Sequence, residues 1–444
     1  MSHRFTRFAV AVLALLAVTA APQAARAVDT GSATFSKYVA LGDSLTAGFS
    51  SGSINVDFQS SSYPSLIFQQ ATGQARTAFE QPLVSAPGLP PILELKQLVP
   101  IPVIGPKGGQ GQPINLTLPR PYDNMAVPGA NVHDVLFKKL SVDANDPTDL
   151  VLRKQGFTQL EQGLSLHPTF VTLWIGNNDA LSAATNGNPA LLTDAAQFDA
   201  EYKAIANNIA GLGAKMAVAT IPDVTSIPFV TTLTRFIINP ATGQPVLVGG
   251  NPVPLIGVDA GDFVLLSATR AEALGFGIPV ALGGNGQPLP GNVVLTPSEV
   301  ATIQARVAAY NTTIRSVASD KGAALVDANA VLADLATRGI NVGGATFTAK
   351  FLSGGVFSYD GVHPTPFGYA FIANMFIDAI NAKFGGHIPE VDLFPFVFKS
   401  AGKSVGADTP PFYFSPLCWD NLRTIFRDTQ PQPTRKPPRR RGHH

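Results

Sequence analysis

The sequence predicts an α/β fold built around a parallel sheet. Two observations carry that expectation: short apolar runs of the kind buried on both faces of a sheet recur along the chain, and segments with helical spacing lie between them. The strand-like runs are "KYVAL" (Lys37 to Leu41), "YDNMAV" (Tyr122 to Val127), "TFVTLWI" (Thr169 to Ile175), "KMAVATI" (Lys215 to Ile221) and "AALVDA" (Ala323 to Ala328). Most are apolar on consecutive positions and rich in Val, Ile or Leu, the pattern of a strand covered by helices on both sides.

The helical segments follow from spacing and end signals. The stretch beginning at Asp194 places Phe198, Tyr202, Ile205 and Ile209 on one face and stops at glycines. Thr296, Pro297 and Glu299 supply an N-cap, a first-turn proline and the acid of a capping box for the next helix. From His363 a proline turn leads into "FGYAFIANMFIDAINAKFG", which reads as the final helix. Two stretches break this rhythm: about 50–120, rich in Pro, Gly, Ser and Gln, and about 224–292, where turn signals alternate with short β-like runs. Both read as insertions, and long insertions in a compact domain tend to carry function, so both are expected to act as lids.

The ends of the chain differ from its middle. Arg4 and Arg7, the apolar run from Phe8 to Ala21 and "AARA" ending at Ala27 have the order of an export signal, shorter than a membrane span needs. The expected organisation is a signal peptide over 1–27, a catalytic-type domain over 28–385 and an extension over 386–444, with a secreted or periplasmic destination. The extension ends in "TQPQPTRKPPRRRGHH", which reads as a solvated basic tail, with contact to lipid or acidic polysaccharide as the alternative. Lys and Arg together number 31 against 30 Asp and Glu, so no overall field steers the chain to nucleic acid. The single cysteine, Cys418, excludes an intrachain disulfide and has no histidine near it in sequence.

Chemistry-bearing residues cluster after the strand-like runs. "LGDSL" puts Ser44 just beyond the first, "AVPGA" puts Gly129 after the second, and "IGNND" puts Asn177, Asn178 and Asp179 after the third. "YDGVH" then supplies Asp360 and His363 before the last helix. A serine becomes a nucleophile when a histidine takes its proton, and a carboxylate three residues before that histidine can be delivered by the same loop.

In these blocks the sequence resembles the GDSL, or SGNH, hydrolases, a family named for a serine, a glycine, an asparagine and a histidine in separate blocks. Ser44 matches the nucleophile of the first block, Gly129 the glycine of the second, Asn178 the asparagine of the Gly-x-Asn-Asp pattern, and Asp360 and His363 the Asp-x-x-His pair. The match runs from about Tyr38 to Phe384. The resemblance implies a flavodoxin-like three-layer α/β/α sandwich with two long insertions and a Ser44–His363–Asp360 triad. It also implies an oxyanion hole made by the N–H groups of Ser44 and Gly129 and the side chain of Asn178, with no cofactor and no metal. The chain departs from the family in having Asn177 where a glycine is frequent. Asp43 and Asp179 are expected to brace loops, and His133 to lie on a helix outside the chemistry.

The implied activity is cleavage of a small-molecule or lipid ester. The apolar stretches "LPPILELKQLVPIPVIG" and "FVLL" in the insertions favour a lipase or acyl-ester esterase. An acetylated polysaccharide is the second substrate class, and a non-catalytic binding protein on the same fold is the alternative of a different kind. A metallohydrolase lacks support, since His133, His167, His363 and His387 show no ligand spacing.

Overall fold

The computed structural model describes residues 27–97, 102–143, 146–401 and 413–414. The expected signal segment, the end of the basic tail and Cys418 lie outside them. The central sheet consists of β1 (Tyr38–Gly42), β2 (Phe170–Trp174), β3 (Lys215–Ala219) and β4 (Ala324–Val326), all parallel in the order β1-β2-β3-β4. Every residue of β1 and β2 is buried, as expected of strands covered on both faces.

The run 122–127 differs from its expectation. It lies parallel beside β1 through Ala40 N to Asp123 O (2.9 Å), Met125 N to Ala40 O (3.0 Å) and Val127 N to Gly42 O (3.1 Å), yet forms only an isolated bridge at Asn124. On the side away from β1 the Asn124 side chain accepts from Ala126 N at 3.2 Å, so that N–H is satisfied locally at the edge of the sheet. Counting this segment as the second strand, the spatial order is 2-1-3-4-5, the doubly wound arrangement of flavodoxin-like folds.

Helices close the sheet on both faces. Along the chain they are α1 (Ser44–Ala47), α2 (Tyr63–Thr72), α3 (Val132–Phe137), α4 (Gln159–Ser165), α5 (Asn178–Thr185), α6 (Ala195–Gly211), α7 (Pro297–Lys321), α8 (Ala328–Thr337) and α9 (Pro366–Phe384). One layer pairs α2 with α9 over β3 and β4; the other holds α3, α4, α6 and α7. The capping box before α7 is in place, with Thr296 N donating to Glu299 Oε2 at 2.9 Å and Glu299 N to Thr296 Oγ1 at 3.3 Å. Below it Ile303, Val307, Tyr310, Ile314 and Val317 bury one stripe. This is the three-layer α/β/α architecture that the sequence predicts.

The two insertions are built differently. The first contains α2, whose Tyr63, Leu66 and Ile67 are fully buried in the main core, so part of it belongs to the central domain. Its helical spacing is hidden in sequence by the Ser, Pro and Gln around it. Leu93 and Ile104, from the apolar stretch of the first insertion, are also in the core, as are Leu265 and Leu266 of "FVLL". The second insertion builds a small apolar cluster of its own around Ile237, Leu255, Val258 and Val264. After α9 the chain packs back on the domain, where Asn374 bonds both the N–H (2.7 Å) and the C=O (3.0 Å) of Val391.

Candidate active site

In an open parallel sheet, ligands bind beyond the carboxyl ends of the strands where the strand order reverses. Here that point lies between β1 and β2, whose last residues, Gly42 and Trp174, are register partners. Residue 42 has to be glycine for the following helix to pack this close: a Cβ there would lie 2.1 Å from Thr46 Oγ1 and 2.5 Å from Trp174 O. Asp43 then caps α1, accepting from Leu45 N at 3.0 Å, and Ser44 becomes the first residue of that one-turn helix.

Ser44, His363 and Asp360 form one hydrogen-bonded chain. Ser44 Oγ is 2.8 Å from His363 Nε2, and His363 Nδ1 is 3.0 Å from Asp360 Oδ2. A carboxylate can only accept, so Nδ1 carries the proton and Nε2 is left to accept from Ser44. Asp360 is wholly buried and accepts three further bonds, from Gly52 N (2.8 Å), Val362 N (2.9 Å) and His363 N (2.8 Å). Burial pulls the Asp360 carboxyl up, but the adjacent His363 ring and these N–H groups outweigh it and hold its pKa below the ordinary carboxylate value.

The segment 49–52 clamps this loop. The Phe49 ring sits 4.9 Å from the His363 ring, Ser50 Oγ donates to Pro364 O at 2.8 Å, and Ser51 N donates to Ser358 Oγ at 2.7 Å. Tyr369 Oη holds Phe49 O from below at 2.5 Å. Ser51, like Gly52 beside it, acts through a backbone N–H that any residue carries, so the sequence gives no sign of either contact.

On the opposite side of Ser44 stand the two asparagines. Asn178 opens α5, lines the cleft beside Ser44 and donates one N–H of its amide to Ala130 O at 2.8 Å, leaving the second free for a ligand. Asn177 also reaches the cleft, but its amide donates to Asp43 Oδ2 at 2.8 Å. Gly129 takes φ 80° in the turn that Asn178 holds through Ala130, a conformation that favours glycine. Asp179 fastens the same turn by accepting from Val132 N at 3.1 Å. Burial raises the Asp43 carboxyl to about 6 and that of Asp179 to about 7. His133 is on α3 and pairs with Glu201 at 2.8 Å, apart from the relay.

Ser44 and His363 open into a cleft enclosing about 850 Å³, open mouth included. Its walls are mostly apolar, from Leu45 and Leu181 on one side to Leu332, Leu335, Phe371 and Met375 on the other. Among the described residues of the insertions, only Val224 and Ile227 reach it, so the apolar lining comes chiefly from α8, α9 and the loop before α9. Among the described residues no group of three or more His, Cys, Asp or Glu is placed to hold a metal ion, and no helix is long and apolar enough to cross a membrane.

The model of the GDSL-like Lipase/Acylhydrolase family matches residues 38–376, a span that includes every residue of the relay. The chain belongs to that family. As a family member it is an ester-hydrolysing enzyme. No curated protein matches it significantly. Solved structures similar to this GDSL hydrolase include an acetyl xylan esterase, AlAXEase, at 16% identity, covering 77% of this chain and 98% of that one, with a TM-score of 0.33. LAE5, an α/β hydrolase from the metagenome of Lake Arreo, Spain, is 14% identical over 79% of this chain and 97% of its own, with a TM-score of 0.36. An extracellular lipase from Streptomyces rimosus is 15% identical over 78% and 98%, with a TM-score of 0.32. Likenesses this distant carry no substrate.

Proposed function

We propose that this hydrolase cleaves carboxylic esters bearing an apolar arm, through an acyl-enzyme on Ser44. The observation that supports it best is the relay of Ser44, His363 and Asp360 opening directly into an apolar cleft. His363 Nε2 takes the Ser44 proton as Oγ attacks the carbonyl carbon. The resulting oxyanion is met by the N–H groups of Ser44 and Gly129 and the free N–H of Asn178. The imidazolium, steadied by Asp360, gives its proton to the departing alkoxide. Water then attacks the acyl-enzyme with His363 as base and regenerates Ser44.

An acetylated sugar is favoured less, because its hydroxyls would be desolvated against walls that offer few polar partners. The test is hydrolysis of p-nitrophenyl alkanoates by wild type and Ser44→Ala. Loss of turnover in the variant is expected; equal turnover in both would end the proposal. We also propose export, on the strength of the basic and apolar order over Arg4 to Ala27. Amino-terminal sequencing of protein from the medium should begin near Val28, and retention of Met1 in a cell-bound product would contradict it.

A further inference from the structure

Two helices present matched apolar stripes to the cleft. On α8 the lining residues are Ala328, Val331, Leu332 and Leu335. On α9 they are Gly368, Phe371, Ile372 and Met375. Each set has the spacing i, i+3, i+4, i+7, which is one face of a helix over two turns. We propose that the groove between these stripes measures an unbranched alkyl chain of about eight to ten carbons on one arm of the ester, ending at Leu335 and Met375. This rests on the ester-hydrolase reading above and names the substrate that reading leaves open.

The direction of the groove is set by α9. The helix begins beside His363 and ends at the opposite, amino-terminal end of the strands, where the Phe384 ring lies 5.9 Å from that of Phe170 at the start of β2. Moving from Gly368 to Met375 therefore moves away from Ser44. At the near end the backbone is packed tightly: a Cβ on Gly368 would lie 2.8 Å from Val356 O. Seven residues of helix span about 10 Å at 1.5 Å each. An extended chain advances about 1.2 Å per bond, so about eight bonds fill that length.

Polarity sets both limits. The polar groups of the cleft, Ser44, Asn177, Asn178 and His363, are all at the reacting end, and among the described residues no charged one lines the rest. One turn past Leu335 the face of α8 reaches Arg338, and one turn past Met375 that of α9 reaches Asp378, both exposed. The apolar track thus stops at the same level on both helices. A longer chain must run past charged groups or into water and gains nothing more from burial.

The test uses two series on the full-length enzyme: p-nitrophenyl alkanoates of increasing acyl length, and alkyl acetates of increasing alcohol length. In the series whose arm occupies the groove, kcat/KM should rise about three- to fourfold per methylene and level off near eight to ten carbons. Met375→Trp and Leu335→Phe should each lower the ratio of octyl to butyl substrates at least tenfold. A ratio cancels any loss of folded protein. Ser44-dependent hydrolysis with the same length profile in wild type and both variants, in both series, would overturn the groove assignment while leaving the hydrolase reading intact. Activity that survives Ser44→Ala would overturn both.

Discussion

The two halves of the site are built by different physics. Each side-chain polar atom of Asp360 and His363 has a hydrogen-bond partner, and the exposure of both residues is close to zero. Between α8 and α9 the surface is apolar and partly open, with Val331, Phe371, Ile372 and Met375 only half-buried. Directional bonds fix the reacting atoms to within tenths of an ångström, whereas non-directional burial grades substrates by length. The first half sets which bond is broken and the second which molecule carries it.

Substitutions separate the two halves, beginning with the largest effect. Ser44→Ala should lower kcat by about 10⁴-fold or more, read in steady-state ester hydrolysis, with the fold unchanged by circular dichroism. On the proposed mechanism Asn178→Ala removes an oxyanion donor and should cost about 10²–10³ in kcat with a small change in KM. A change mainly in KM would move Asn178 from the polar half to the substrate half. Ser358→Ala leaves the buried N–H of Ser51 without its partner and should lower stability by about 1–3 kcal/mol in urea unfolding. An unchanged midpoint would show that the clamp over Asp360 is not a stabilising part of the polar half.

The last prediction is a slope against pH. Asp43 and Asp179 ionise near 3.8 in the unfolded chain, but at about 6 and about 7 when buried in the folded one. Between about pH 4 and pH 7 the unfolded state therefore binds fewer protons, and stability falls as pH rises. Asp179→Asn should flatten the upper part of that fall in a series of melting temperatures. Identical slopes for wild type and variant would contradict the burial assigned to Asp179.

How much of each half was legible follows from the same distinction. Ser44, Gly129, Asn178, Asp360 and His363 stand out in sequence because nucleophilic catalysis and its backbone turns demand particular residue types at strand ends. The parallel strands and α7 were equally legible, since consecutive Val, Ile and Leu and the Thr296 to Glu299 box are strong local signals. The clamp at 49–52 was not, because Ser51 and Gly52 act through backbone N–H groups. The apolar stretches of the insertions suit a cleft wall or the core equally well in sequence, and Leu93, Ile104, Leu265 and Leu266 prove to be core. The walls of the apolar groove lie elsewhere: the stripes of α8 and α9 carry the same periodicity as any helix packed on a sheet. Pattern alone does not say which apolar face is left open.

The most direct measurement is intact-protein mass spectrometry after reaction with a fluorophosphonate, which phosphonylates an activated serine. A single adduct mapped to Ser44, absent in Ser44→Ala and strongly slowed in His363→Ala, is the predicted result. Ester hydrolysis that continues with Ser44 unlabelled would contradict the account.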